Sequence, residues 1–182
     1  MKVTESPSAS EADTVPIAVY ISFISTGLWT FFSVFYVFII IPLLDLFFGE
    51  TKENLSDEDI SYIKNKWIFD LMLYLNLPIV FGLTYLILFN INSNVYEVYE
   101  LVGLAISSGI LLATNGINVA HELGHRKSFF DRFLSQTFYI PCLYMHFFIE
   151  HNYGHHIKVA TPEDGATAKL NQSLYSFWLS SV

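Results

Sequence analysis

The chain has 182 residues, of which 53% are hydrophobic and 17% aromatic, while only 14% are charged; ordinary soluble domains carry about 25% charged residues. Its formal charge is −8 with no basic stripe, which disfavours nucleic-acid binding, and its single cysteine, Cys142, rules out a disulfide framework. What charge exists is unevenly placed: residues 15–48 hold only Asp45, residues 67–96 only Asp70, and residues 98–120 only Glu100. Such segments cannot give a globule its wetted face, and they are too apolar for a disordered chain. The composition therefore defines an all-α integral membrane protein built as a transmembrane helix bundle.

Residues 1–14, MKVTESPSASEADT, read as a mobile tail. They are not a secretory signal, because Lys2 is the only basic residue and acids precede the apolar run. The run from Val15 to Phe48 exceeds the roughly 20 residues of one membrane crossing and is too short for two with a loop. It predicts one span over about Gly27–Phe48, preceded by a short apolar element, with Gly27 and Pro42 as places where a helix bends or ends. Residues 49–66 form a hydrophilic loop with five acids and three lysines. A second span is predicted over Trp67–Phe89, interrupted by Pro78, which membrane helices tolerate. After a connection, Asn90–Glu97, a third span runs from about Val98 to Ala120; its Gly103, Ser107, Ser108 and Gly109 suit close helix packing. Arg126, Lys127 and Arg132 follow. By the positive-inside tendency, loop 49–66 and residues 121–132 face the cytoplasm and the Asn90–Glu97 connection faces out. Residues 133–149 are apolar and aromatic but include Gln136, Pro141 and His146, and are expected to form a fourth, less regular span or a re-entrant element.

All six histidines lie between positions 121 and 156. Polar groups clustered beside membrane spans need partners and usually mark function. In His121-Glu122-Leu123-Gly124-His125 the two imidazoles stand at i and i+4, on one helix face, where both can reach one metal. With Asn118 set to zero at about 100° per residue, Thr114, Asn115, His121, Glu122 and His125 fall within an arc of about 120°. That predicts a polar stripe facing a bundle interior. In Glu150-His151-Asn152-Tyr153-Gly154-His155-His156, His151 and His155 repeat the i, i+4 pairing. On an α-helix His156 would point about 140° away from His151, which favours division of the histidines between two neighbouring metals. His146 belongs to neither pairing and reads as a residue packed around the ligands. No thiolate set for structural zinc exists. HELGH also satisfies H-E-x-x-H, so an intramembrane zinc protease is a competing reading. It leaves the second cluster unexplained, and more imidazoles than one zinc requires suit iron better.

The stretches IPLLDLFFGE (41–50), NVAHELGHRKSFFDRF (118–133) and HFFIEHNYGHHIKVATPEDGATA (146–168) carry a resemblance covering about residues 27–175. The chain resembles the N-terminal half of bacterial membrane-bound alkane 1-monooxygenases, within the larger fatty-acid desaturase/hydroxylase group of membrane diiron proteins. The resemblance implies a multi-pass protein of the bacterial inner membrane that hydroxylates medium- or long-chain n-alkanes at the terminus with O₂. It implies two non-haem irons at the cytoplasmic end of the bundle, held by His121 and His125 of a first histidine box and His151, His155 and His156 of a second. Asp164, in the ATPED stretch, looks like a partner that touches a ligand from outside, and Asn118, Glu122, His146 and Glu150 are further candidates for that role. The implied partners are rubredoxin and its NADH-dependent reductase, besides the lipid bilayer. A desaturase or another hydrocarbon hydroxylase, such as one acting on aromatic methyl groups, would share the architecture. The NYxEHYG stretch and the third box resembling LQRHSDHH do not occur in these residues, so residues 15–182 are expected to be part of a longer membrane diiron hydroxylase domain.

Overall fold

The structure, a computed structural model, describes residues 9–48 and 67–181. Loop 49–66 and the start of the expected tail lie outside them; from Ala9 the chain is already helical. The described residues are all-helical. In chain order they form α1 (Ala9–Ile24), α2 (Gly27–Phe47), α3 (Trp67–Ser93), α4 (Val98–Gly124), α5 (Phe129–Phe138), α6 (147–158) and α7 (Leu174–Ser181). Helices α2, α3 and α4 are long and apolar enough to cross a membrane, whereas the apolar part of α1, Thr14–Ile24, is not. The expected single span with a short element before it is therefore what residues 15–48 form. The chain divides into two compact units, Met1–Val119 and Ala120–Val182.

In the first unit the break between α1 and α2 falls at Gly27, whose φ of +66° favours a residue without Cβ. Pro42 and Pro78 sit inside continuous helices. The core is one face of α1 (Val15, Ala18, Val19, Phe23) with Val80 and Ile87 of α3 and Leu104 and Leu111 of α4. Since lipid tails are as apolar as leucine, helices in a membrane associate through close packing and internal polar contacts. Both are present here. The Glu100 carboxylate accepts hydrogen bonds from the backbone N–H groups of Glu97 (2.8 Å) and Gly27, so one buried side chain caps the first turns of α4 and α2 together. The Ser33 N–H donates to Ser22 Oγ (2.9 Å), and the Ser33 hydroxyl donates to Ser107 Oγ (2.7 Å). The Ser107 hydroxyl in turn donates to the Thr30 carbonyl (2.9 Å). Further along, Asn115 Nδ2 donates to Asn76 Oδ1 (2.8 Å) and links α4 to α3.

Of the small residues expected to pack, Gly103 and Ser107 are buried against α2, Ser108 bonds back to the Leu104 carbonyl, and Gly109 faces open space. Residues 133–149 do not form a fourth span. The last part of α5 gives way to turns, with Leu143 at φ 53°, and then to the short helical segments of α6.

A methyl group at Gly103 would meet the Thr30 hydroxyl and, at 2.8 Å, the Phe31 ring. Gly103→Ala should therefore cost about 1–3 kcal/mol, the usual penalty of overpacking. Unfolding in a mixed-micelle denaturant titration checks it; a variant as stable as the parent would show that α2 and α4 do not pack this closely.

Candidate metal centre

Within the second unit, His121 and His125 occupy the end of α4, their imidazole rings edge to face with centroids 4.5 Å apart. Their Nε2 atoms are 2.9 Å apart. The second histidine box reaches the same point: His151 Nε2 lies 2.7 Å from that of His121 and 3.3 Å from that of His125. His156 Nε2 lies 3.0 Å from that of His151, and its ring is edge to face with His125 at 4.8 Å.

The position of His156 differs from the helical-wheel expectation for a physical reason. Residues Glu150–His155 form a π turn, and the His156 N–H donates to the His151 carbonyl, five residues back. An i→i+5 closure brings residues five apart onto one face, where an α-helix would hold them about 140° apart. The wheel fails for the same reason at the polar stripe, because Leu112–Ile117 is also a π turn. Asn115 is buried, Thr114 half-buried, and Asn118 and Glu122 are exposed, so the stripe does not face one interior.

His155 takes a different arrangement. Its Nδ1 faces Asp164 Oδ2 at 2.9 Å, and its ring stacks on His151 with centroids 5.6 Å apart. An imidazole fixed in this way by a carboxylate keeps Nε2 for a metal, a recurrent arrangement around metal-binding histidines. Asp164 is buried and is itself held: the Ala166 N–H donates to Oδ1 (3.1 Å) and the Thr167 hydroxyl to Oδ2. Thr167 Oγ1 also accepts from the Ala160 N–H (3.0 Å). The Thr167 hydrogen bond is the largest influence holding the Asp164 carboxyl below its ordinary range, with burial opposing it and Ala166 and His155 assisting.

The other candidates separate clearly. Glu122 is exposed, and its negative charge bears on His125. His146 is exposed and sits edge to face on Tyr144 (4.7 Å). Glu150 and Asn118 are exposed. Among the described residues, Asp164 is the one of these five that hydrogen-bonds a box histidine. Two further residues contribute to the site. Phe147 stacks on His151 with ring centroids 5.0 Å apart. Thr167, three residues after Asp164, carries a spacing typical of side-chain turns that could have marked it.

Metal–imidazole bonds of about 2.1 Å put adjacent donor nitrogens about 3.0 Å apart on octahedral corners and about 3.4 Å apart on tetrahedral ones. The separations of 2.7, 2.9 and 3.3 Å between His121, His125 and His151 fit the closer spacing. Imidazole nitrogens suit iron, copper, nickel and zinc. The environment favours the unprotonated rings that a metal requires. Burial, followed by the nearby charges of His121, His156, His125 and His155, pushes His151 down to about 4. Burial and His156 also lower His125.

The sequence is also similar to those of known proteins. Residues 98–182 match the fatty acid desaturase family. The alkane 1-monooxygenase of Pseudomonas putida is 36% identical over 140 residues, which are 76% of this chain and 34% of that protein. Alkane 1-monooxygenase 1 of Alcanivorax borkumensis is 35% identical over 145 residues, 79% of this chain and 35% of that protein. The alkane 1-monooxygenase of Ectopseudomonas oleovorans is 33% identical over 168 residues, 86% of this chain and 41% of that protein. Apolar spans and gathered histidines define a membrane protein of the histidine-box class. The chain belongs to the alkane 1-monooxygenase family within the fatty acid desaturase group. It spans between about a third and two fifths of the length of these curated relatives.

A histidine whose folded value lies below its ordinary 6.5 contributes stability that is present above 6.5 and is lost as pH falls toward 4. The metal-free protein should accordingly lose stability as pH falls from 6.5 to 4, with His151 titrating near 4 by NMR and the pH dependence reduced in His151→Ala. A His151 that titrates at 6.5 would contradict the crowded arrangement of rings.

Proposed function

We propose that the whole protein, to which these residues contribute the first and second histidine boxes, hydroxylates the terminal methyl group of medium- or long-chain n-alkanes to a primary alcohol with O₂. The observation that most supports this reading is the convergence of Nε2 atoms from both boxes at 2.7–3.3 Å, in a chain whose relatives are named alkane 1-monooxygenases. Two non-haem irons are the proposed cofactor, and iron supplies the redox chemistry with O₂ that zinc lacks. His121, His125, His151, His155 and His156 are the residues that would hold them.

Each neighbouring group has a part in this reading. Asp164 orients His155 through Nδ1, and Thr167 fixes Asp164. Phe147 covers one face of the His151 ring. An alkane offers neither hydrogen bond nor charge, so its positioning falls to apolar walls, for which the aromatic, charge-poor spans are the candidates. Rubredoxin with its NADH-dependent reductase is the proposed electron source. The proposed location is the bacterial cytoplasmic membrane, with the centre on the cytoplasmic face. A desaturase or another hydrocarbon hydroxylase would use the same histidines. An intramembrane zinc protease would use HELGH with His151 as the further ligand and leave His155 and His156 without a role.

Full-length protein purified in detergent should contain about two irons per chain, as a dinuclear site requires. With O₂, rubredoxin, reductase and NADH it should convert octane to octanol. Alanine at any of the five box histidines should abolish turnover, while His146→Ala should lose no more than the 10–100-fold typical of residues around the ligands. One tightly held zinc accompanied by peptide cleavage would overturn the proposal.

A further inference from the structure

The π turn over Glu150–His155 is what puts His156 beside His151. Such turns are rare, because the α register is ordinarily the better closure. Something outside the turn's own backbone must therefore favour it. Two side chains within it have partners that bear on its register. Asn152 Nδ2 donates to the Phe148 carbonyl (2.9 Å), the acceptor that an α-helix would assign to the Asn152 backbone N–H. The Tyr153 hydroxyl accepts from Arg132 Nη2 at 2.5 Å, so the turn is also held from α5.

Arg132 is well placed for this. Its guanidinium lies 5.6 Å from the centroid of the Phe148 ring, a cation–π contact two residues before the turn. Helix α5 is fixed against the end of α4, since the buried Ser135 hydroxyl donates to the Ala120 carbonyl (2.6 Å). Gly124 leaves no spare room there: a Cβ would lie 3.0 Å from Ser135 Oγ and 3.4 Å from the Phe148 ring. The segment that carries the first box thus supports α5, and α5 supports the second box through Arg132.

We propose that Asn152, Tyr153 and Arg132 form a register latch: they select the π closure over the α closure and so deliver His156 to the cluster that His121, His125 and His151 form. They are positioning residues, and none need touch a metal. In the α register the same sequence would turn His156 about 140° away from His151. The proposal rests on the reading of these histidines as a metal centre, and it adds the residues that decide which imidazoles reach it.

The test is a Co(II) titration of the full chain in lipid nanodiscs, followed by d–d absorption, which reports coordination number and affinity without turnover. The parent should bind Co(II), and His156→Ala should weaken binding. Asn152→Ala/Tyr153→Phe should weaken it by about 10–100-fold, the usual cost of losing groups that orient ligands, with the same spectral change as His156→Ala. Adding His156→Ala to that pair should then produce no further loss, because the imidazole has already left the cluster. If the losses multiply instead, or if the pair binds like the parent while His156→Ala does not, the latch is overturned and the metal centre stands. A parent that binds no Co(II) would overturn the centre and the latch together. Should the pair lose helical circular dichroism, Arg132→Met, which leaves the turn's own side chains intact, carries the same cycle with the same two outcomes.

Discussion

Imidazole nitrogens held about 3 Å apart cannot all be satisfied by one another. A neutral ring has one N–H and one lone pair, so a group of converging Nε2 atoms leaves lone pairs facing each other unless a proton or a metal ion stands between them. His121, His125 and His151 meet at 2.7–3.3 Å, with His156 joining through His151 at 3.0 Å. Protonation is opposed by burial and by the neighbouring rings, which together hold His151 near 4. A metal cation at their centre would satisfy these nitrogens together. Other features of the second unit serve to bring these rings together: the i, i+4 pair closing α4, the π turn at the second box, and the carboxylate on His155.

A membrane imposes a different constraint on the first unit. Buried polar groups there have no water to fall back on, so each must be paired within the protein. Glu100 meets this by capping two helices at once, and Ser22, Ser33, Ser107 and Thr30 pass hydrogen bonds between α1, α2 and α4. Asn76 and Asn115 pair across α3 and α4. Among the described residues no fully buried side-chain nitrogen or oxygen lacks a partner. The same polar atoms also supply the specificity of packing that uniformly apolar helices would lack.

Much of this was legible in the residues because it depends on simple counts. Charge-poor runs of the right length mark α2, α3 and α4, and Gly27 marks the break before α2. The pairing of His121 with His125 follows from helical spacing alone. What escaped depends on departures from that spacing. A wheel of about 100° per residue assumes α geometry throughout; the π turns at Leu112–Ile117 and Glu150–His155 break it, scattering the supposed polar stripe and bringing His156 beside His151. Nor does the apolar character of residues 133–149 reveal that they fold into short elements, since a segment can be apolar enough for a span and still be interrupted by turns. Asp164 was marked by its motif, whereas Thr167, on which its position depends, belongs to no motif and carries only the spacing of a side-chain turn.

The central claim is that imidazoles from both histidine boxes meet at one metal centre. X-ray absorption at the iron edge of the iron-loaded full-length protein tests it most directly. The account predicts a first shell of nitrogen and oxygen at about 2.1 Å, with imidazole outer-shell scattering that diminishes when either His121 or His151 is replaced. A shell that loses imidazole scattering on replacing His121 but is unchanged on replacing His151 would contradict it, for the two boxes would then not share a centre.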